Sequence, residues 1–158
     1  MPDVLESPLA EAAVETFERL AYCFAEPGPL GPVSVREVDG VVMVSFRGPV
    51  SGGVALQLSG GILASLTENM LGSEHVPSAQ QQRDALGEVA NVICGNALPR
   101  IAGTTAVFAL GVPTAFPTWQ AAVAAMGEPS AHVRLELEGG RADIAIALSA
   151  SSSPSSSS

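Results

Sequence analysis

The 158-residue chain has no lysine: its seven basic residues are all arginines, set against sixteen acids for a net charge of −9. That absence excludes a P-loop and a Schiff-base mechanism, both of which need a lysine amine. It also argues against a nucleic-acid partner, because phosphate contacts need a basic patch. Cysteine is scarce as well. Cys23 and Cys94 each fall in an expected helix with no second cysteine nearby, the pattern of buried free thiols in a reducing compartment. His75 and His132 stand apart, one in a loop and one in a strand, and no Cys/His/acid group has metal-ligand spacing. The chain is therefore expected to hold no cofactor or metal of its own. Aromatics are only 4%, so a core must be built from Val, Leu, Ile and Ala. No apolar run approaches the roughly 20 residues that span a bilayer, and the acidic start MPDVLESPLAE lacks the basic region of a signal peptide. A cytoplasmic protein without a membrane partner is expected.

What is present is enough for one domain. Hydrophobic residues make up 47% of the chain, sufficient for a single core at this length. Residues 1–149 read as the domain and 150–158 as a disordered Ser-rich tail. Ser7-Pro8 reads as a helix start, with the helix running to about Ala25; Leu9, Ala13, Phe17, Leu20 and Phe24 face inward, and Glu15 pairs with Arg19. EPGPLGP makes a loop. Asp39-Gly40, between alternating valines, reads as a two-residue hairpin turn. Val54 to Leu58 is a strand, and Ser59 caps a helix over residues 60–71 that Gly72 stops. SEHVPSAQQQ is a polar linker. Residues 105–116 are extended, broken at Gly111-Val112-Pro113, and Trp119 to Met126 is helical, its tryptophan filling core or interface. His132 to Glu138 is a half-buried strand followed, after Gly139-Gly140, by another over 142–148. Helix, strands, helix, then helix, strands, hairpin suggests two loosely similar halves in an α+β domain.

The most informative stretch is RDALGEVANVICGNALPRIAG, Arg83 to Gly103. At 100° per residue, Leu86, Val89, Ala90, Ile93 and Ala97 fall on one face, and Asp84, Glu88, Asn91 and Gly95 on the other. The helix carries costs: Gly87 and Gly95 each lose about 1 kcal/mol against alanine, and Asn91 and Asn96 are poor helix formers. Pro99 lacks the N–H that would reach residue 95, so a kink or an end is expected there. Local rules broken in one place mark either a functional surface or a solvated face whose small residues allow close packing.

EVANVICGNA resembles the signature helix of the CheX-like chemotaxis phosphatases, relatives of CheC and of the flagellar switch phosphatase. That family carries Glu-x-x-Asn on a long helix, with an Asp or Ser often four residues before the Glu; here these are Asp84, Glu88 and Asn91, and Gly95-Asn96-Ala97 continues the likeness. Pro113 lies near the place of the family's later proline, Pro99 departs from its continuing helix, and the Glu-x-x-Asn spacing occurs on one long helix only. The resemblance implies a CheC/CheX-like α+β fold, two long helices side by side on a mixed or antiparallel sheet, and a homodimer. It implies dephosphorylation of a phosphorylated CheY-type response regulator that itself supplies the acyl phosphate, a magnesium ion and a lysine. Asn91 would then position the attacking water and Glu88 would pair with the partner's lysine, with Asp84 and Gly95 in the partner contact. The other reading is a non-catalytic CheX-like module that binds receivers or motor components.

Overall fold

Apolar residues at every second position define two ten-residue strands, β2 (Val38–Arg47) and β3 (Val50–Ser59). They pair as an antiparallel hairpin whose buried face carries Val42, Val44, Phe46, Val54, Leu56 and Leu58. The structure is a computed structural model and describes residues 3–72 and 75–150. β7 (Gly140–Ala150) pairs with the other side of β3, and β6 (Ala131–Leu137) pairs with β7. β1 (Ala25–Gly28) closes one edge against β6. At the other edge β4 (Ala109–Leu110) and β5 (Thr114–Phe116) both pair with β2, and every one of these pairings is antiparallel.

Two long helices, α1 (Asp3–Ala21) and α3 (Ala79–Ala102), lie together on the apolar face, with α2 (Leu63–Leu71) beside them. Leu9, Ala13 and Phe17 of α1 and Leu86, Val89, Ala90, Ile93 and Ala97 of α3 fill the core, as the periodicity predicts. Asn96 Nδ2 donates to Thr16 Oγ1 (3.0 Å), and Arg100 reaches Glu15 at 2.6 Å, beside the expected Glu15–Arg19 pair. Asn96 is thus a clamp between helices. The other side of the sheet is covered in part by α4 (Trp119–Met126) over Val41 and Ala55. The two expected halves are visible and interlocked: β1, which follows α1, pairs with β6 of the second half, and β4, which follows α3, pairs with β2 of the first.

Several local expectations are corrected. α1 begins at Asp3, with Pro8 inside it, and ends at Ala21. Tyr22 turns left-handed (φ 54°), and the Cys23 N–H returns to Phe17 O (3.0 Å), closing the end of the helix. Phe24 therefore leaves the buried side and is 70% exposed. Asp39-Gly40 is no turn. β2 runs through it with a shift in register, and the hairpin turns at Gly48-Pro49 instead. The Asp39 carboxylate accepts from the N–H groups of Gly61 (2.8 Å), Ile62 (2.7 Å) and Leu63 (3.0 Å), satisfying the otherwise orphaned amides at the start of α2. Ser59, the expected cap, ends β3; Gly72 closes α2 with φ 66° as expected. Asp39→Ala should therefore cost about 1–2 kcal/mol in urea unfolding; an unchanged midpoint would show that water serves these amides equally well.

Pro99 does not end α3, which continues to Ala102. Both Pro99 and Gly95 are exposed, so water can satisfy the carbonyl that the proline leaves without a donor. Of the expected tail, residue 150 closes β7, and 151–158 lie outside the described residues. No helix among the described residues is long and apolar enough to cross a membrane.

Candidate functional site

The start of α3 is built by a capping box: Ser78 Oγ accepts from the Gln81 N–H (3.0 Å), and Gln81 Oε1 accepts from the Ser78 N–H (2.9 Å). Residues 79–82, read from sequence as linker, are thereby its first turn. This adds Gln80 to the polar stripe one turn before Asp84. Gln80 Nε2 donates to Asp84 Oδ1 (2.8 Å), and Arg83 Nη2 donates to Gln80 Oε1 (2.9 Å), so Asp84 is oriented through a short relay.

Asp84, Glu88, Asn91 and Gly95 share one face, spanning about 16 Å along the axis. Their environments differ. Asp84 and Glu88 line a groove of about 380 Å³ whose far wall is Val112, Pro113 and Ala115 and whose floor includes Val42 and Leu86. Asn91 and Gly95 lie one and two turns further on, outside that groove. Glu88 is exposed and has no hydrogen-bond or ion-pair partner among the described residues. Asn91 is half-buried, and its Oδ1 is covered yet accepts no hydrogen bond. A buried carbonyl left so costs about 1–3 kcal/mol, which packing within this chain does not explain.

The two glycines also separate. A Cβ on Gly87 would stand 3.0 Å from the Pro113 Cβ, so this glycine lets the groove's far wall approach α3. A Cβ on Gly95 would meet nothing within 4 Å. Gly87 is explained by the fold and Gly95 is not. Cys94 offers no nucleophile: burial pushes its thiol up to about 12. Among the described residues no three His, Cys, Asp or Glu side chains gather where a metal ion could sit.

Residues 41–136, which include this stripe and both walls of the groove, match the family model of the chemotaxis phosphatase CheX. The chain belongs to the CheX family. Its fold is similar to that of chemotaxis protein CheX from Vibrio vulnificus, at 18% identity and a TM-score of 0.68 over 90% of this chain and 95% of that one. It is similar to CheX from Desulfovibrio desulfuricans, at 18% identity and a TM-score of 0.66 over 92% and 99%. A chain of the CheX–CheY–BeF3–Mg2+ complex from Borrelia burgdorferi matches at 18% identity and a TM-score of 0.65 over 91% and 97%. Among curated proteins none matches. In this chain, the resemblance read from EVANVICGNA and the α+β architecture expected from it both hold. What the sequence reading missed is most of the groove's other half, of which it singled out Pro113 alone. Gln80 was findable from the Ser78-x-x-Gln81 spacing; Val112 and Ala115 carry no local signal and reach the site only through the pairing of β4 and β5 with β2.

Proposed function

We propose that this CheX-family chain dephosphorylates the phospho-aspartate of a CheY-type receiver, with α3 as half of a site that the partner completes. The observation that carries this reading is Asn91, an amide whose carbonyl oxygen is held without a donor beside the unpaired carboxylate of Glu88. The occurrence of a CheX fold in a complex with CheY supports the partner class. On docking, the Asn91 amide accepts from and donates to the attacking water, holding it in line with phosphorus without changing its own protonation. The water oxygen bonds to phosphorus, the acyl oxygen–phosphorus bond breaks, and the receiver's aspartate leaves as carboxylate. Such transfer needs mainly positioning and charge stabilisation. A magnesium ion brought by the receiver supplies much of the latter, and this chain needs no cofactor. Glu88, about 4.5 Å along the axis from Asn91, pairs with a receiver lysine and sets the register, while Asp84, held by Gln80, flanks the contact. A homodimer working in the cytoplasm belongs to the same reading.

The test is phosphate release from a purified, phosphodonor-charged CheY-type receiver with and without this protein. Acceleration is expected. Binding without acceleration would leave a docking module in place of a phosphatase. Gly95 gives an independent check. Gly95→Ala should stabilise the free protein by about 0.5–1 kcal/mol, since its methyl meets nothing, yet weaken receiver binding if the partner packs against bare backbone there. Equal binding by the variant would remove Gly95 from the interface.

A further inference from the structure

Odd-numbered residues of the central strands face away from α1 and α3, onto the side of the sheet that α4 covers only in part. A cavity of about 550 Å³ opens there, and it shares no lining residue with the α3 groove. Its base is charged. Arg134, 7% exposed, donates from Nε to Asp143 Oδ1 (2.9 Å) and from Nη2 to Asp143 Oδ2 (3.2 Å) and Gly31 O (2.6 Å). His132 Nε2 lies 3.2 Å from the same Oδ1, and Gln57 Nε2 donates to Oδ2 at 3.4 Å. This corrects one expectation: His132 is not isolated.

A census of donors and acceptors gives the cavity its character. Asp143 has its lone pairs taken by four contacts. The Asp39 carboxylate, also on the lining, is occupied by the α2 amides. On the donor side, the two N–H groups of Arg134 Nη1 have no acceptor among the described residues, and they stay accessible on the cavity lining. The indole N–H of Trp119 is also without a partner among the described residues. Gln57 Oε1 and His132 Nδ1, an acceptor when Nε2–H donates to Asp143, are the acceptors left over. The surplus is of donors, one of them permanently cationic. Trp119 lies tilted over His132 with ring centroids 5.2 Å apart, and Phe116 and Pro117 extend the flat apolar wall.

We propose that this cavity binds a small aromatic anion, a carboxylate or phosphate carried on a planar ring, with the anionic group on Arg134 Nη1 and the ring against Trp119 and Phe116. The volume is of the size that small-molecule sites use, and a few convergent polar groups in an apolar wall are their usual make-up. The site lies beyond the phosphatase reading and stands or falls without it.

Trp119 is the chain's single tryptophan, so its fluorescence reports on this cavity alone. The full chain is titrated with benzoate, phenyl phosphate, neutral benzamide and inorganic phosphate. A saturable change with benzoate or phenyl phosphate is expected, with a midpoint on the order of 1 mM for so small a probe, and the better of the two identifies the anionic group. Benzamide and inorganic phosphate should each bind about tenfold more weakly. Gln120, exposed at the rim, allows a test that leaves the buried pair intact. Gln120→Glu should weaken anion binding about fivefold, and Gln120→Arg should strengthen it. No saturable response to either anion, benzamide matching benzoate, or midpoints unmoved by both variants would overturn the proposal. Inorganic phosphate binding as tightly as phenyl phosphate would overturn the aromatic part of it.

Discussion

Asn91→Ala is expected to abolish the acceleration of phosphate release, lowering it by about 100-fold or more, while the variant still binds the phosphorylated receiver. The size follows from what is lost: a group that orients the nucleophile contributes to the transition state and little to docking, which Glu88 and Asp84 retain. The structure also makes the control favourable. Asn91 makes no side-chain hydrogen bond among the described residues, so truncation removes a covered, unsatisfied carbonyl and replaces a poor helix former with the best one. Stability should therefore hold or rise, by up to about 1 kcal/mol. A variant that keeps full activity would strip Asn91 of its role. One that loses binding together with activity would make it an anchor instead.

The largest effect on stability is expected at Asp143. Asp143→Ala should cost about 3–5 kcal/mol, because it leaves Arg134 buried without its counter-ion. Asp143 is 1% exposed and sits opposite Arg134 in the β6–β7 ladder. Replacing both partners together, Arg134→Met with Asp143→Leu, should recover most of the loss, since no charge then remains inside. The pair also imposes a pH dependence of known sign. Burial pushes the Asp143 carboxyl up, but hydrogen bonds from His132 and Arg134 outweigh it and hold the group below its ordinary 3.8. A carboxyl lowered in the folded state contributes stability that is complete above the unfolded value and lost as pH falls through the folded one. Urea unfolding of the wild type should therefore weaken below about pH 4, and Asp143→Ala should lack this component. A loss under about 1 kcal/mol for Asp143→Ala would mean that water reaches Arg134 freely.

Periodicity carried much of this fold. The α3 stripe was legible because five apolar residues at helical spacing admit one core face, and Trp119–Met126 because turn residues bound it on both sides. Local signals failed where a distant group outbid them. Asp39-Gly40 between valines is a strong hairpin pattern, yet the carboxylate found three amides more than twenty residues downstream. Tyr22 ends α1 in a conformation that glycine usually marks, so no residue type announced it. His132 looked isolated because alternation alone cannot show what crosses from the next strand. Counting outward from the Gly139 turn would have set Arg134 opposite Asp143, and that pairing was the available clue. In the candidate site, the helix half was written in consecutive residues, whereas the opposing wall came from a segment with no chemistry of its own.

The exchange of outer strands between the halves has a consequence for how the protein is made. Ala25 pairs with Leu137, and the inner edge of β3 pairs with β7, so the first half leaves the ribosome roughly a hundred residues ahead of the strands that complete it. At about 5–20 residues per second, that is a wait of about 5–20 s. During it only the local β2–β3 hairpin and the nascent helices can form, with an open strand edge and the apolar side of α1 uncovered. Closure of this sheet thus waits for β6 and β7, and any product stalled before β6 lacks the partners for half of its sheet.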